Sequence, residues 1–314
     1  MKTLILCTVV ILGLAGETSA QSQFDGIVVF GTSLSDAGNA FVLSGVAGTP
    51  PDFTLNPLLI PTAPYAKGGH HFSNGATWIE QYAISVGLAA SMRPALATSD
   101  AGAANYAVGA ARSYDDGINF NLTRQVDTFL ERSGGAASPH ALYVIEMGGN
   151  DIRDAFQLYA VGANGGPILQ AALGSIAANI QRLYTAGARQ FLVWLPPNVA
   201  LTPAIRSLGP AAGELATVLT ANFDGGLAQM LDQLPAVLPG ARFARLDANQ
   251  LLNAIVHAPW AFGLTTVVTA CVTPNTAPFT CKEPDEFLFW DGIHPTKAGH
   301  ALVAEEAARV LSAF

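Results

Sequence analysis

Two short segments of the sequence carry side chains suited to nucleophilic catalysis. Ser33 follows an apolar, strand-like run in the segment Gly-Thr-Ser-Leu-Ser-Asp, and near the C-terminus His294 follows Asp291 by three residues in Asp-Gly-Ile-His-Pro. A serine hydroxyl becomes a nucleophile when an imidazole accepts its proton and a carboxylate orients that imidazole. The three side chains are therefore candidates for a nucleophile, its base and the partner that orients the base.

Donors for a negatively charged oxygen lie in two other segments. Asn150 follows two glycines in Met-Gly-Gly-Asn-Asp, and its amide can donate a hydrogen bond to a developing oxyanion. Gly109 ends the strand-like segment 105–110 and can supply a backbone N–H group. Together with the N–H of Ser33, these groups are candidates for an oxyanion hole.

Each of these residues also has an ordinary structural interpretation. Ser33 can cap a helix, Asn150 can form an Asx turn and Gly109 can occupy a bulge. Asp291 can be a turn residue, and His294 can be a surface histidine. Any one of these segments, taken alone, leaves both interpretations open.

The elements that must position these residues are strands alternating with helices. Short apolar runs followed by turn residues are typical of parallel strands that are buried on both faces. The predicted strands cover residues 27–30, 142–145, 191–195 and 242–246. The predicted helices cover residues 168–186, 211–234 and 296–311. This alternation predicts one doubly wound α/β domain, in which chemistry gathers at the carboxyl ends of the strands.

Residues 45–75 are rich in Pro, Gly and Asn, and they are too many for a bare connector. We expect them to form a loop over the site, and we call them the long loop. This loop contains His70 and His71, which have no third ligand nearby and are not predicted to bind a metal.

Composition excludes several classes of protein. The chain has 314 residues, of which 50% are hydrophobic and 12% are charged, so it is not intrinsically disordered. Fifteen Lys and Arg against 23 Asp and Glu give a net charge of −8 without a basic block, which argues against nucleic acid as a partner. A small molecule or a neutral polymer is the expected partner.

The first twenty residues have the layout of a secretory signal peptide. Lys2 precedes an apolar run, and small residues end the segment at Ala20, where we place the cleavage site. The apolar run is too short for a membrane anchor. We therefore expect a secreted or periplasmic protein, in which Cys271 and Cys281 form a disulfide across a turn-rich loop.

Four segments, in order and spacing, resemble the conserved blocks of the GDSL, or SGNH, serine hydrolases. They are Gly31-Thr32-Ser33-Leu34-Ser35-Asp36-Ala37-Gly38-Asn39, the segment around Gly109, Gly149-Asn150-Asp151, and Asp291-Gly292-Ile293-His294-Pro295. Phe72-Ser73-Asn74-Gly75, with Trp78 and Glu80, also resembles the secreted lipase and esterase branch, which includes bacterial phospholipase-like haemolysins. The sequence departs from the family pattern at Thr32, where the motif has Asp, and at Ala110, where a second Gly is common.

The resemblance implies a three-layer α/β/α, flavodoxin-like fold over residues 21–314 and ester hydrolysis without a cofactor. By position, Ser33 is the nucleophile, His294 the base and Asp291 its orienting partner, while Ser33, Gly109 and Asn150 form the oxyanion hole. The low charge and the apolar segment 53–60 suggest that acyl chains are bound, hence a lipase, phospholipase or esterase that touches lipid surfaces only transiently.

Two alternatives remain at this point. A carbohydrate acetylesterase or an acyltransferase would use the same residues on the same fold. The second alternative, suggested by Thr32, is a non-catalytic binding protein on an inherited hydrolase fold.

Overall fold

The structure, a computed structural model, describes residues 23–314. The predicted signal peptide lies outside the described residues. A parallel sheet of four strands, in the order β1-β2-β3-β4, forms the centre of the fold. The strands are β1 (Ile27–Gly31), β2 (Leu142–Glu146), β3 (Gln190–Leu195) and β4 (Arg242–Asp247). The four predicted strands are confirmed, and each is one residue longer than predicted.

The segment that contains Asn105 runs along the free edge of β1. The N–H of Val29 donates to the carbonyl of Ala104 at 2.9 Å, and the N–H of Tyr106 donates to the carbonyl of Val29 at 2.8 Å. This segment forms only isolated bridges instead of the regular strand its residues suggest. It nevertheless occupies the place of a second strand, which gives the flavodoxin-like order with its topological switch point between β1 and β2.

Helices follow the strands as the alternation predicted. They are α1 (Asn39–Ser44), α2 (Trp78–Ser85), α3 (Leu122–Arg132), α4 (Gly149–Ala160), α5 (Gly166–Ala186), α6 (Pro203–Arg206), α7 (Pro210–Val237), α8 (Ala248–His257) and α9 (Lys297–Ser312). The three predicted helices correspond to α5, α7 and α9. Helix α9 begins one residue later than predicted because Thr296 is its N-cap, and its hydroxyl accepts a hydrogen bond from the N–H of Gly299 at 3.0 Å.

The helices cover both faces of the sheet. Along β1, Val28 and Phe30 point to one face and Ile27 and Val29 to the other, because side chains alternate along a strand. Helices α3, α4, α5 and α7 pack on the first face, and helices α2 and α9 pack on the second. This is the predicted three-layer arrangement, and burial on both faces explains the continuous apolar runs of the strands.

The C-terminal part of the chain adds a small second sheet, which was not predicted. It consists of β5 (Thr266–Ala270) and β6 (Phe287–Phe289), paired in parallel. Cys271 and Cys281 are bonded, as predicted, in the connection between these strands. Within residues 23–314, no helix combines the length and the apolar character needed to cross a membrane.

Candidate active site

The sheet brings the three sequence-predicted catalytic residues to its carboxyl edge. Ser33 lies two residues beyond β1, in what we call the serine turn (residues 31–36). Asp291 and His294 lie between β6 and α9, in what we call the histidine loop (residues 290–296). These two segments are distant in sequence, and the fold places them side by side.

The three side chains form a continuous hydrogen-bonded chain. His294 Nε2 lies 2.8 Å from the Oγ atom of Ser33, and His294 Nδ1 lies 2.8 Å from Oδ2 of Asp291. Asp291 is 0% exposed and His294 is 3% exposed. In this geometry the imidazole can accept the hydroxyl proton while the carboxylate fixes the orientation of its ring.

Asp291 is held by more than the imidazole. Its Oδ1 atom accepts hydrogen bonds from the backbone N–H groups of Ile293 at 2.9 Å and His294 at 2.8 Å. Its Oδ2 atom accepts a further bond from the hydroxyl of Tyr65 at 2.7 Å. Burial, together with the adjacent Asp291, raises the pKa of Tyr65 above its ordinary range, so the phenol remains a donor. Sequence reasoning missed Tyr65, because no pattern in the long loop distinguishes it.

Gly292 joins the histidine loop to the long loop. Its N–H donates to the carbonyl of Leu59 at 2.8 Å. A Cβ atom at this position would lie 2.1 Å from the carbonyl oxygen of Leu58. Only glycine allows so close an approach, and this accounts for the glycine between the aspartate and the histidine.

Asn150 faces the same site from the second position of α4. Its Nδ2 atom donates to the carbonyl of Ala111 at 2.8 Å, which fixes the amide and leaves its second N–H for another acceptor. The residue lines a cavity together with Ser33 and His294. The backbone N–H of Ser33 has no hydrogen-bond partner within residues 23–314. Both groups can therefore donate to an oxygen bound beside the serine.

The expectation for Gly109 does not match the observed hydrogen bonds. Its N–H donates to Oδ2 of Asp36 at 2.8 Å, so this donor is already occupied by a buried carboxyl group. Glycine is needed here for another reason, since a Cβ atom would lie 2.2 Å from the ring of Phe72. The next N–H, that of Ala110, has no partner among the described residues, and Ala110 adopts a φ of 65°. Of these two N–H groups, only that of Ala110 is free of a hydrogen bond within residues 23–314.

A buried carboxyl group that sequence reasoning missed lies under the serine turn. Glu146, the last residue of β2, is 2% exposed. Its Oε2 atom accepts a hydrogen bond from the N–H of Thr32 at 2.8 Å, and its Oε1 atom lies 3.0 Å from the Thr32 hydroxyl. Burial raises the pKa of Glu146 to about 7, against the lowering effect of the hydrogen bonds from Thr32.

The cavity beside Ser33 has a volume of about 380 Å³, within the size range of small-molecule sites. Leu58 and Ile60 of the long loop form part of its wall, which confirms that this loop lies over the site. Most of its other walls are also apolar, and they include Leu34, Phe156, Val161, Val199, Ile205, Leu208 and Ile293. The apolar part of this surface suits a hydrocarbon chain, whereas Asn150 and Arg153 are among the polar residues of the wall.

Three of the other five histidines have partners or surroundings of their own. His71 forms an ion pair with Glu80 at 2.9 Å, and the ring of His70 stacks on Phe41 with centroids 3.6 Å apart. His300 lies inside α9, where burial lowers its pKa to about 3. No group of three or more His, Cys, Asp or Glu residues within 23–314 is arranged to hold a metal ion.

A family model described as GDSL-like Lipase/Acylhydrolase matches residues 27–307, which is most of the chain. The chain belongs to this family. The matched region of this GDSL-like protein contains the serine turn, Asn150 and the histidine loop, so the family resemblance stated from those segments is confirmed.

Relatives of this GDSL-like protein carry esterase and lipase names. Esterase EstA of Pseudomonas aeruginosa is 32% identical over 333 residues, which cover 94% of this chain and 48% of EstA. A GDSL esterase/lipase of Arabidopsis thaliana is 28% identical over 330 residues, which cover 90% of this chain and 82% of the plant protein. The chain thus spans about half the length of the EstA proteins it matches.

One solved structure similar to this GDSL-like protein is Axe2, an acetylxylan esterase from Geobacillus stearothermophilus. The TM-score is 0.45 and the sequence identity is 13%, and the match covers 93% of this chain and 95% of Axe2.

Proposed function

We propose that this protein is a serine hydrolase that cleaves carboxylic esters through an acyl-enzyme on Ser33. The observation that carries the proposal is the 2.8 Å separation between His294 Nε2 and Ser33 Oγ, with Asp291 at 2.8 Å on the other ring nitrogen. Membership of the GDSL-like lipase/acylhydrolase family supports the same activity.

The reaction begins when the Ser33 oxygen attacks the ester carbonyl and its proton passes to His294 Nε2. The carbonyl oxygen becomes an oxyanion that accepts hydrogen bonds from the Ser33 N–H and the Asn150 amide. Collapse of this intermediate breaks the bond to the alcohol oxygen, which takes the proton from His294. Water then attacks the acyl-enzyme by the same route and releases the carboxylic acid and the serine hydroxyl.

The apolar cavity supports an acyl chain as the substrate group bound beside Ser33. Leu58, Ile60 and Phe156 would contact the chain, and each buried CH₂ group contributes about 0.8 kcal/mol to binding. This makes a lipase, a phospholipase or an esterase the favoured function. The alternative of a carbohydrate acetylesterase has less support, because an acetyl group would leave most of these walls without contact.

Export from the cytoplasm is part of the proposal. The signal-like segment at residues 1–20 supports it, as does the Cys271–Cys281 disulfide, because such bonds persist in oxidising compartments. The protein would then meet its ester substrates in the periplasm or outside the cell.

The decisive experiment combines a reactive probe with a substrate panel. A fluorophosphonate should label the wild-type protein, whereas Ser33→Ala should not react, although its circular dichroism spectrum should be unchanged. Among 4-nitrophenyl esters of increasing chain length, kcat/KM should rise beyond acetate before it falls. A folded wild-type protein that neither reacts with the probe nor hydrolyses any ester would support the non-catalytic binding alternative.

A further inference from the structure

The serine turn of this protein lacks the carboxylate of its family motif, because position 32 is Thr. A carboxyl group from the neighbouring strand, that of Glu146, contacts the Thr32 hydroxyl instead. Glu146 is the register partner of Gly31 in the parallel pair of β1 and β2. A Cβ atom at position 31 would lie 2.9 Å from Glu146 Oε2, so the glycine leaves the space that the carboxyl group occupies.

We propose that Glu146 is a positioning residue that replaces the missing aspartate by holding the serine turn through Thr32. It accepts hydrogen bonds from both the N–H and the hydroxyl of Thr32. The residue does not touch the reacting atoms in this proposal. It acts on them through the peptide that links Thr32 to Ser33.

That peptide carries an oxyanion donor. The carbonyl of Thr32 and the N–H of Ser33 belong to one planar unit and turn together. Glu146 fixes the N–H side of Thr32, and the N–H of Ser35 donates to the Thr32 carbonyl at 3.1 Å. Because both ends of Thr32 are held, the Ser33 N–H group has a fixed orientation. Loss of Glu146 would allow this peptide group to rotate.

Positions 32 and 146 are therefore coupled. An aspartate at position 32 beside the existing Glu146 would place two carboxyl groups in one buried space, where both cannot be ionised without a large cost. One carboxyl group, at position 32 or at position 146, should be enough to hold the serine turn. Two carboxyl groups, or none, should not hold it. This reciprocity distinguishes a positioning role from a general contribution of Glu146 to packing.

A double-mutant cycle tests the coupling. Thr32→Asp and Glu146→Thr should each lower kcat for a 4-nitrophenyl ester by roughly tenfold or more with little change in KM, because only transition-state contacts are lost. The double variant T32D/E146T should recover most of the lost kcat. Losses that simply multiply in the double variant would overturn the proposal.

Two further variants keep the test interpretable. Glu146→Gln retains the shape of the side chain and one acceptor, so it should fold even where Glu146→Thr does not. At pH 8, where Glu146 is ionised and both of its oxygens are acceptors, an unchanged kcat in Glu146→Gln would also overturn the proposal. Asp224→Asn is the matched control, because burial raises the pKa of Asp224 to about 7 as well, but the residue does not line the cavity. Its kcat should equal that of the wild type.

Arg153 also lines the cavity beside Ser33. It follows Asn150 by three residues, so both lie on the same face of α4. The guanidinium has no hydrogen bond or ion pair within residues 23–314. The adjacent Asp154 is bound instead by Arg112, at 2.8 Å and 3.0 Å. Burial is the main cause that lowers the pKa of Arg153, and the positive charge of Arg112 adds to it. The charged form of Arg153 is therefore disfavoured at this position.

We propose, on the basis of the ester hydrolysis proposed above, that Arg153 binds an anionic group of the substrate. The favoured substrates are then carboxylic esters that also carry a phosphate or a carboxylate. A guanidinium without a partner in an apolar cavity gains a charge-assisted hydrogen bond when such an oxygen group arrives. Neutral esters offer Arg153 no such bond.

Matched ester pairs test this specificity. The carboxylate pair is 4-nitrophenyl pentanoate and the mono-4-nitrophenyl ester of glutaric acid, and the phosphate pair is dihexanoylglycerol and dihexanoyl phosphatidic acid. For each pair, the quantity compared is kcat/KM of the anionic ester divided by kcat/KM of the neutral ester. Arg153→Gln should lower this ratio by about 10- to 100-fold for at least one pair. The pair that responds identifies the anion. Arg153→Lys should keep most of the ratio, because it keeps the charge.

The controls separate this proposal from the proposed function. Arg124→Gln removes an exposed arginine that does not line the cavity, and it should leave both ratios unchanged. Equal ratios in the wild type and Arg153→Gln, for both pairs, would overturn the role of Arg153 while ester hydrolysis itself stands. Absence of hydrolysis of every ester in every protein would instead contradict the proposed function.

Discussion

The hydroxyl of Tyr65 and the imidazole of His294 share one oxygen atom of Asp291. The hydroxyl donates to Oδ2 at 2.7 Å, and His294 Nδ1 lies 2.8 Å from the same atom. The other carboxylate oxygen accepts two backbone N–H groups, so Asp291 is held from four directions. Because the carboxylate cannot rotate, the imidazole that it orients has one position relative to Ser33.

Removal of the tyrosine hydroxyl should therefore affect both stability and turnover. Tyr65→Phe should lower the free energy of unfolding by about 1.5–3 kcal/mol, as expected for a lost hydrogen bond to a charged group. Its kcat should fall several-fold because the carboxylate gains freedom. Urea unfolding and steady-state kinetics measure the two effects. Tyr143→Phe is the control, because that buried hydroxyl donates to the carbonyl of Ser138 away from the site. Equal kcat in both variants would contradict the role of Tyr65.

The amide of Asn150 should contribute mainly to the transition state. Asn150→Ala should reduce kcat by about 100- to 1000-fold, the usual effect of losing an oxyanion donor, with little change in KM. The lost bond to the carbonyl of Ala111 should cost only about 1 kcal/mol of stability. Asn179→Ala provides a matched control, because this buried amide lies in α5 and donates to Thr123. A similar loss of kcat in both variants would show that packing is responsible.

Neighbouring residues 109 and 110 should respond to substitution in opposite ways. Ala110→Gly should raise the free energy of unfolding by up to about 1 kcal/mol, because φ of 65° is unfavourable for residues with a Cβ atom. Gly109→Ala should lower it by about 1–3 kcal/mol, since the new Cβ atom collides with Phe72. Phe72 packs against the ring of His294 at 5.4 Å between centroids, so kcat should fall as well. Thermal unfolding measures the change in stability of each variant. Changes of the same sign in both variants would contradict this account.

Burial of Glu146 should make stability depend on pH. The folded-state pKa is raised from 4.5 to about 7, so the folded protein keeps a proton that the unfolded chain releases above pH 4.5. The contribution of Glu146 to the free energy of unfolding therefore falls by about 3 kcal/mol in total as the pH rises from 4.5 to about 7. Glu146→Gln removes this dependence. Relative to the wild type, the variant should thus gain stability between about pH 4 and pH 8.

Urea unfolding of both proteins across that range measures the difference. Asp36 and Asp151, whose pKa values burial raises to about 6, titrate in both proteins and cancel in the comparison. A stability difference that does not change with pH would be inconsistent with a protonated Glu146 in the folded state.

Local sequence patterns were sufficient for the elements that carry the site. The strands were predictable because burial on both faces produces continuous apolar runs, and β1 consists of Ile-Val-Val-Phe-Gly. Asp291 and His294 were recognisable because His294 follows Asp291 by three residues in one loop. The helix after Thr296 was predictable from an apolar stripe at helical spacing.

Contacts between distant segments were not predictable in the same way. The pairing of Glu146 with Thr32 depends on the register between β1 and β2, which no local pattern encodes. Tyr65 lies in a loop without periodicity, so its approach to Asp291 has no sequence signal. The hydrogen bond from the Gly109 N–H to Asp36 likewise joins two distant segments, and no local pattern indicates it.

The hydrogen bond from Gly292 to Leu59 has a consequence for how the cavity of this protein could be redesigned. Leu58 and Ile60, on either side of Leu59, form the wall of the cavity, whereas Gly292 lies between Asp291 and His294. The wall of the cavity and the histidine loop are thus joined by a direct backbone hydrogen bond. Remodelling this wall should therefore also displace His294, so a substitution that changes the preferred chain length is expected to change kcat as well.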